Sequence, residues 1–376
     1  QRAKKAQERK SKTLQVIGVI AVFGMLLALS YREIAIMEMF NKKKDLESQL
    51  ATIQKENGQI EKSIKVLEEK QLPIETYGLF ATKNSAGKTF SILGQNYTIQ
   101  ELTENSFDSG YDFAIFAAGG EISKKFAPIA KENGCIVVDN SSYFRMDDNV
   151  PLVVPEVNFE DVFTHKGIIA NPNCSTIQAM LPLKALEDKY RIKRIVYSTY
   201  QAVSGAGKDA LSDLENTDGS VPLKKFPHPI YNNCIPHIDV FMDNGYTKEE
   251  EKMINETRKI LKRPDLKITA TTVRVPIENC HGESINIEFE NDFDLDELIT
   301  VLKNAPGVIV QDDVKNNIYP LATTSSGYDD VFVGRIRRDY SVQYGINLWV
   351  VADNIRKGAA TNAVQIAEEL LKVLED

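Results

Sequence analysis

The hydrophobic pattern divides the chain into stretches of different period. Thr13–Tyr31 (TLQVIGVIAVFGMLLALSY) carries nineteen residues without a charge, bracketed by Lys12 and Arg32. A helix of that length spans about 28 Å, close to the hydrocarbon thickness of a bilayer, so the pattern predicts a transmembrane helix over 13–31. A cleaved signal peptide would have a shorter apolar run ending in small residues, whereas this one ends Leu-Ala-Leu-Ser-Tyr-Arg-Glu. From residue 32 the period changes. Ile36, Met39, Lys43, Leu46, Leu50, Ile53, Asn57, Ile60, Ile64 and Leu67 recur in steps of three and four. This heptad seam predicts a coiled coil over 32–65, with Asn57 at a position where a polar residue fixes register.

Beyond Pro73 the pattern alternates between short strands and helices. Tyr77–Ala81, Ile115–Ala118, Cys135–Asp139 and Gly167–Ala170 read as strands, the second and third followed by Gly119-Gly120 and Asn140-Ser141-Ser142. Strand, small-residue turn and helix in succession predict a parallel α/β layer over 66–172, with a nucleotide crevice at the strands' carboxyl ends. Longer strands follow at Arg194–Gln201, Lys267–Val275, Glu283–Phe289, Val331–Arg335 and Asn347–Ala352, with helices at Ile177–Leu186, Thr247–Leu261 and Leu295–Lys303. They predict an α+β domain over 173–353. A final amphipathic helix, Ala359–Glu375 in the segment 354–376, is expected to return to the first sheet.

Charge and cysteine content narrow the partners. A basic tail over 1–12 (Arg2, Lys4, Lys5, Arg9, Lys10, Lys12) precedes the apolar run and predicts an inside N-terminus with the following chain outside. The net charge of −8 argues against nucleic acid as a partner. The cysteines Cys135, Cys174, Cys234 and Cys280 form no C-x-x-C pair, which suits a reducing compartment. Cys234 lies between His228 and His237, but the spacing fits no zinc signature, and no metal is expected.

Cys174 carries the most chemical promise. It lies in Asn171-Pro172-Asn173-Cys174-Ser175-Thr176, at the mouth of an apolar helix. The positive end of a helix dipole favours thiolate, the nucleophilic form; the same position also suits a small buried hydrophobe. The motif does not stand alone. Asp139–Asp148 (DNSSYFRMDD), Val154–Asn158 (VPEVN), Tyr200–Gly207 (YQAVSGAG) and Arg274–His281 (RVPIENCH) accompany it. From about residue 65 to the C-terminus these five motifs, in order and spacing, resemble aspartate-β-semialdehyde dehydrogenase.

That resemblance implies a Rossmann-like NADP-binding domain and an α+β catalytic and dimerisation domain in a cytoplasmic homodimer. The implied reaction interconverts L-aspartate 4-semialdehyde, phosphate and NADP with 4-aspartyl phosphate and NADPH, in lysine, threonine, methionine and diaminopimelate biosynthesis. It implies Cys174 as nucleophile, His281 as general base and Gln201 as the residue orienting the carbonyl. It further implies Arg274 on the substrate carboxylate, Glu249 on its amino group, and Arg145 with Lys252 on phosphate. Asn84 and Ser85 match the loop at the adenosine 2′-phosphate, which favours NADP over NAD, and Ser204, Gly205 and Asn354 match nicotinamide contacts. Asn84 departs from relatives that place Arg there, which weakens the phosphate pairing.

The resemblance stops short of the N-terminus. The family opens with a strand and a Gly-rich loop that cradles pyrophosphate; here Gly58 is the sole glycine between the apolar run and Gly78. Residues 1–64 instead resemble the small septum-associated cell-division proteins of the FtsL/DivIC type. The chain therefore reads as two unrelated segments joined near residue 65, with membrane anchoring and a coiled-coil partner expected of the first. Two functional readings follow: the dehydrogenase, or a membrane-anchored cell-division scaffold carrying an inactive dehydrogenase-derived domain.

Overall fold

The structure, a computed structural model, describes residues 61–375. The expected basic tail, transmembrane helix and most of the coiled coil lie outside the described residues. No helix among the described residues is long and apolar enough to cross a membrane. The described chain begins in helix α1 (61–70). Its Val66 packs with Ala360 and Val364 near the other end of the chain, with Leu67 against them. The last positions of the heptad seam thus serve this fold's own core rather than a partner helix.

The expected strand Tyr77–Ala81 contributes only β1 (Phe80–Ala81). It is followed by the hairpin β2 (Thr89–Ile92) and β3 (Gln95–Thr98), closed by Leu93 and Gly94 with φ of 48° and 79°, the paired positive dihedrals of a type I′ turn. β1 pairs in parallel with β4 (Gln100–Glu101) and with no other described strand. A separate parallel sheet orders β5 (Phe113–Phe116), β6 (Ile136–Asp139) and β7 (Ile168–Ala170), joined by α2 (Gly120–Glu132) and the short α3 (Pro155–Asn158). The α/β layer is thus two parallel pieces rather than one continuous sheet, because β5 hydrogen-bonds only β6 among the described strands.

The larger sheet follows α4 (Cys174–Tyr190). It contains β8 (Ile192–Gln201), then, after α5 (Lys208–Glu215) and α6 (Lys248–Ile260), β9 (Lys267–Arg274) and β10 (His281–Phe289). Helix α7 (Leu295–Lys303), β11 (Val308–Val310), α8 (Ala322–Ser325), β12 (Val331–Asp339), β13 (Gly345–Ala352) and α9 (Thr361–Glu375) complete it. The strand order is β11-β12-β13-β10-β8-β9. Strand β12 runs four residues past the expected Arg335, through an irregularity between Gly334 and Arg337.

Register places side chains in rows, because alternate residues share a face. Gln201 lies opposite Arg274 at the end of β8 and β9, and Gly282 opposite Tyr200. One row down, Glu283, Thr199 and Thr272 align; below them Ile285, Tyr197 and Ala270 enter the apolar core. Helix α4 lies over this face, every side chain from Ser175 to Leu183 buried, as expected of a helix packed on all sides. Helix α9 covers the other sheet: Ala363, Ile366 and Leu370 meet Val138 and Ile169.

A π-helical turn, Arg356–Ala360, joins β13 to α9 beside α4. Lys357 anchors it: fully buried, its Nζ donates to both Glu156 oxygens at 2.6 and 2.8 Å and to Gln365 Oε1 at 2.7 Å. Removing one partner of a buried pair strands the other charge. Lys357→Met is expected to lower unfolding free energy by about 3 kcal/mol, and Glu156→Leu added to it to recover part of that loss; denaturant unfolding of both variants measures this.

Candidate active site

Cys174 is the first residue of α4, as the sequence predicts. Asn173 caps the helix, its Oδ1 accepting from the N–H of Ser175 at 3.0 Å and of Thr176 at 3.3 Å. Asparagine is a favoured cap because its short side chain reaches these orphan donors. The same residue is held from α6 twice. Its backbone N–H donates to Glu256 Oε2 at 2.7 Å, and its Nδ2 to Glu249 Oε1 at 2.9 Å. Residues seven apart lie about 20° from eclipsed on a helix, so both glutamates share one face. A capping box at Thr247 and Glu250 fixes where that helix begins.

Gln201, Lys252, Arg145, Arg274 and His281 gather around Glu249 and Cys174. Gln201 Nε2 donates to Glu249 Oε1 at 3.2 Å, and Lys252 Nζ to Glu249 Oε2 at 3.0 Å and Asp239 Oδ2 at 2.8 Å. Lys252 is therefore not a solvated cation of a charge run but half of a largely buried pair. Burial opposes ionisation of Glu249, yet Lys252 and the donors Asn173 and Gln201 outweigh it and hold its pKa at about 2. Arg145 is also buried, not on a solvated loop; it donates from Nη1 to Glu256 Oε1 at 3.0 Å and from Nη2 to the Asn140 carbonyl at 2.9 Å. Lys259 ties that loop to α6 through the carbonyls of Arg145, Asp147 and Val150.

Arg274 ends β9 buried, its Nη1 donating to the Ala202 carbonyl. His281 begins β10, fully buried after a left-handed turn at Cys280 (φ 70°). Its Nδ1 accepts from the Ala202 N–H at 3.0 Å, and its Nε2 has no partner. This assigns the proton of the neutral ring to Nε2. Burial, with Arg274 adding to it, pulls the imidazole down to about 3, so the ring is neutral across the working range.

The thiol departs from expectation. Although Cys174 stands at a helix N-terminus, burial and then the Glu249 carboxylate push it up to about 11, against weaker help from Arg274 and Arg145. The side chain keeps partial exposure, but the groups around it are packed and one of the nearest charges is negative. Without substrate, Cys174 is a neutral thiol.

The cofactor candidates divide. Ser204 Oγ donates to Asn279 Oδ1 at 2.9 Å and accepts from Asn354 Nδ2 at 3.1 Å, and the Cys280 N–H donates to Asn354 Oδ1 at 3.0 Å. These residues adjoin His281. Gly205 packs close to His281 and Arg274: a Cβ there would lie 3.1 Å from His281 Cε1 and 3.3 Å from Arg274 Nη1. Asn84 is exposed and Ser85 buried within a separate turn; no hydrogen bond joins either to this cluster among the described residues. At the carboxyl end of β5, Gly119 (φ 90°) caps α2 with no side-chain bond among the described residues, and a helix N-terminus of this kind suits an anion. The described residues thus fit the nicotinamide end and the crevice of a dinucleotide, while the expected Gly-rich loop has no counterpart among them.

Comparison with known proteins decides the family. Residues 61–165 match the semialdehyde dehydrogenase NAD-binding domain, and residues 183–357 the semialdehyde dehydrogenase dimerisation domain. The aspartate-semialdehyde dehydrogenase of Aquifex aeolicus is 55% identical over 319 residues, covering 82% of this chain and 94% of that one. The chain belongs to the aspartate-semialdehyde dehydrogenase family. The Bacillus subtilis enzyme is 47% identical, covering 82% of this chain and 93% of its own. The crystal structure of aspartate semialdehyde dehydrogenase II from Vibrio cholerae superposes with a TM-score of 0.78 at 44% identity, over 83% of this chain and 95% of that one.

Within this family architecture, sequence reasoning overlooked Glu256, the double role of Asn173, and Gly358. The spacing of Glu249 and Glu256 on an amphipathic helix was a signal for the first. A Cβ on Gly358 would lie 2.8 Å from Cys174 Cβ and 3.3 Å from its Cα, closer than packed atoms come. Gly358→Ala is expected to displace the nucleophile and lower kcat about tenfold or more, with an unfolding loss of about 1–3 kcal/mol; steady-state kinetics and thermal unfolding read the two effects separately.

Proposed function

We propose that the chain is an NADP-dependent aspartate-semialdehyde dehydrogenase, which reversibly converts 4-aspartyl phosphate to L-aspartate 4-semialdehyde through a thioester on Cys174. The observation that carries this reading is the convergence of Cys174, Gln201, Arg274, His281 and Glu249 at the carboxyl ends of β8 and β9 and the N-terminus of α4. A structure of the Vibrio cholerae enzyme is described as complexed with ASA, and one from Candida albicans, at 25% identity and a TM-score of 0.68, as solved with NADP.

In the oxidative direction the Cys174 sulfur attacks the aldehyde carbon, the carbonyl π bond opens, and the thiol proton reaches the new oxygen by way of His281, whose Nε2 gives its proton to that oxygen and takes the one from sulfur, forming a neutral thiohemiacetal. His281 Nε2–H, unpaired in the free protein, is the donor available to the developing oxyanion, and Gln201 holds the carbonyl edge. Ser204, Gly205 and Asn354 would hold the nicotinamide end of NADP, which would supply the hydride acceptor for oxidation of the thiohemiacetal to a thioester, with His281 taking the hydroxyl proton. Arg145 and Lys252 provide the positive field for phosphate, whose oxygen then displaces the sulfur. Arg274 offers a guanidinium fork to the substrate carboxylate, and Glu249, ionised, meets its ammonium group.

The exposed Tyr200 stacks near Trp349, ring centroids 5.6 Å apart, on the sheet face away from α4. With the dimerisation-domain match, this supports a homodimer. The need for a reduced Cys174 supports a cytoplasmic enzyme. The scaffold alternative draws on residues outside the described ones, and the family match across both domains favours the enzyme.

Cys174→Ala is expected to abolish turnover of semialdehyde with phosphate and NADP. Arg274→Leu is expected to raise KM by about a hundredfold, as a buried charge-assisted contact is worth about 3 kcal/mol. Full activity of the Cys174 variant would remove the basis of the reading.

A further inference from the structure

The cation assigned to phosphate is already engaged by an anion of the chain itself. Lys252 Nζ donates to Glu249 Oε2 at 3.0 Å and to Asp239 Oδ2 at 2.8 Å. An ammonium has three donors, so two are spent on carboxylates. Burial opposes ionisation of both acids, yet Lys252 keeps both in their charged forms. The triad Glu249–Lys252–Asp239 therefore carries a net negative charge. A dianion arriving there is repelled unless one carboxylate leaves.

The two carboxylates differ in how they are tied. Glu249 is buried on α6 and also receives Asn173 Nδ2 and Gln201 Nε2. Asp239 lies on the loop before α6, its side chain 32% exposed. Apart from Lys252, its one bond among the described residues is local: Oδ1 accepts from the adjacent Val240 N–H at 2.9 Å. The loop is pinned on either side. Ile235 exchanges both backbone hydrogen bonds with Arg274 at 2.9 Å, and the Lys248 N–H donates to the Val240 carbonyl at 2.8 Å. Between these pins, residues 236–239 make no backbone–backbone hydrogen bond among the described residues. Asp239 also has a left-handed backbone (φ 70°), which costs a non-glycine residue energy. Of the two acids, Asp239 is the one placed to leave.

A second donor stands ready for the incoming anion. Arg145 is buried with its terminal nitrogens on Glu256 and the Asn140 carbonyl, and its Nε has no partner among the described residues. Arg145 and Glu249, the partner of Lys252, both act by charge on the Cys174 thiol, so the two cations flank one nucleophile.

We propose that Asp239 stands in for phosphate: in the substrate-free protein its carboxylate holds the Lys252 donor that a phosphate oxygen takes during the reaction, and the two anions exchange as phosphate binds. Asp239 is then a residue that sets specificity for the anion. A monovalent anion offers Lys252 no more than Asp239 already does. Phosphate, with two negative charges and oxygens for both Lys252 and Arg145 Nε, outcompetes it. In the reductive direction the returning carboxylate takes the place of the departing phosphate. The catalytic use of this exchange rests on the dehydrogenase reading; the exchange itself is tested without turnover.

The test is calorimetric binding of inorganic phosphate to the substrate-free full chain, at neutral pH and constant ionic strength. Asp239→Asn keeps the side-chain shape and tolerates the left-handed backbone, but carries no charge. It is expected to bind phosphate about tenfold more tightly than wild type, since one charge-assisted hydrogen bond no longer competes. Asp239→Gly also suits that backbone; it is expected to gain as much and decides the matter should the asparagine variant fail to fold. In steady-state assays both variants are expected to lower KM for phosphate, with a much smaller change in KM for the aldehyde. If Asp239 only held the loop in shape, phosphate binding would weaken or stay unchanged, and either result overturns the proposal. A crystal structure of the wild type with phosphate separates exchange from simple repulsion. A phosphate oxygen on Lys252 Nζ, with the Asp239 carboxylate gone from it, is expected; Asp239 still bonded to Lys252 beside bound phosphate overturns the proposal. Tighter phosphate binding by Asp239→Asn in a protein that does not turn over the semialdehyde would count against the dehydrogenase reading and not against the exchange.

Discussion

One face of α6 holds two buried glutamates, Glu249 and Glu256, and the loop that carries Cys174 hangs between them. Glu256 takes the Asn173 N–H and the Arg145 guanidinium; Glu249 takes the Asn173 amide, Gln201 and Lys252. Four groups from three other parts of the chain are thereby fixed to one helix. Removing a partner from such a network leaves a desolvated charge, which costs more than the bond it loses. The constraint explains why a loop, ordinarily the mobile part of a fold, can hold a reacting sulfur in place.

The same arrangement sets the charge state of the site. Glu249 is ionised because Lys252 and two amides stabilise it, and its negative charge joins burial in keeping the Cys174 thiol neutral. A substrate ammonium placed on Glu249 would cancel that charge and favour the thiolate at the moment an aldehyde is present. Burial first and Glu249 second thus oppose the helix N-terminus, which alone would favour the thiolate. His281, stripped of its charge by burial and Arg274 and presenting an unpaired Nε2–H, suits the donor role in the same step.

Much of this was legible in the chain. The strand and helix pattern placed the long elements of the larger sheet to within a few residues, since their apolar faces follow periods of two and 3.6. The motifs around Cys174, Gln201, Arg274 and His281 named residues that the fold then gathers. Three things escaped for physical reasons. Arg145 and Lys252 were named from their motifs, but their burial was not, because their partners, Glu256 on another element and Asp239 thirteen residues away, are brought to them only by folding. The neutral thiol follows from burial and from Glu249, which no local signal at Cys174 reports. The split of the first sheet followed from strand pairing, since β1 finds β4 and not β5.

The account turns on Glu249 controlling the ionisation of Cys174, and alkylation rate against pH measures this directly. Cys234 is exposed while Cys135 and Cys280 are buried, so a Cys234→Ser background isolates the Cys174 signal. In that background the substrate-free enzyme is expected to titrate near pH 11, and adding Glu249→Gln, which keeps an accepting oxygen for Asn173 but removes the charge, to shift the midpoint clearly downward. A midpoint that stays in place or rises would contradict the account.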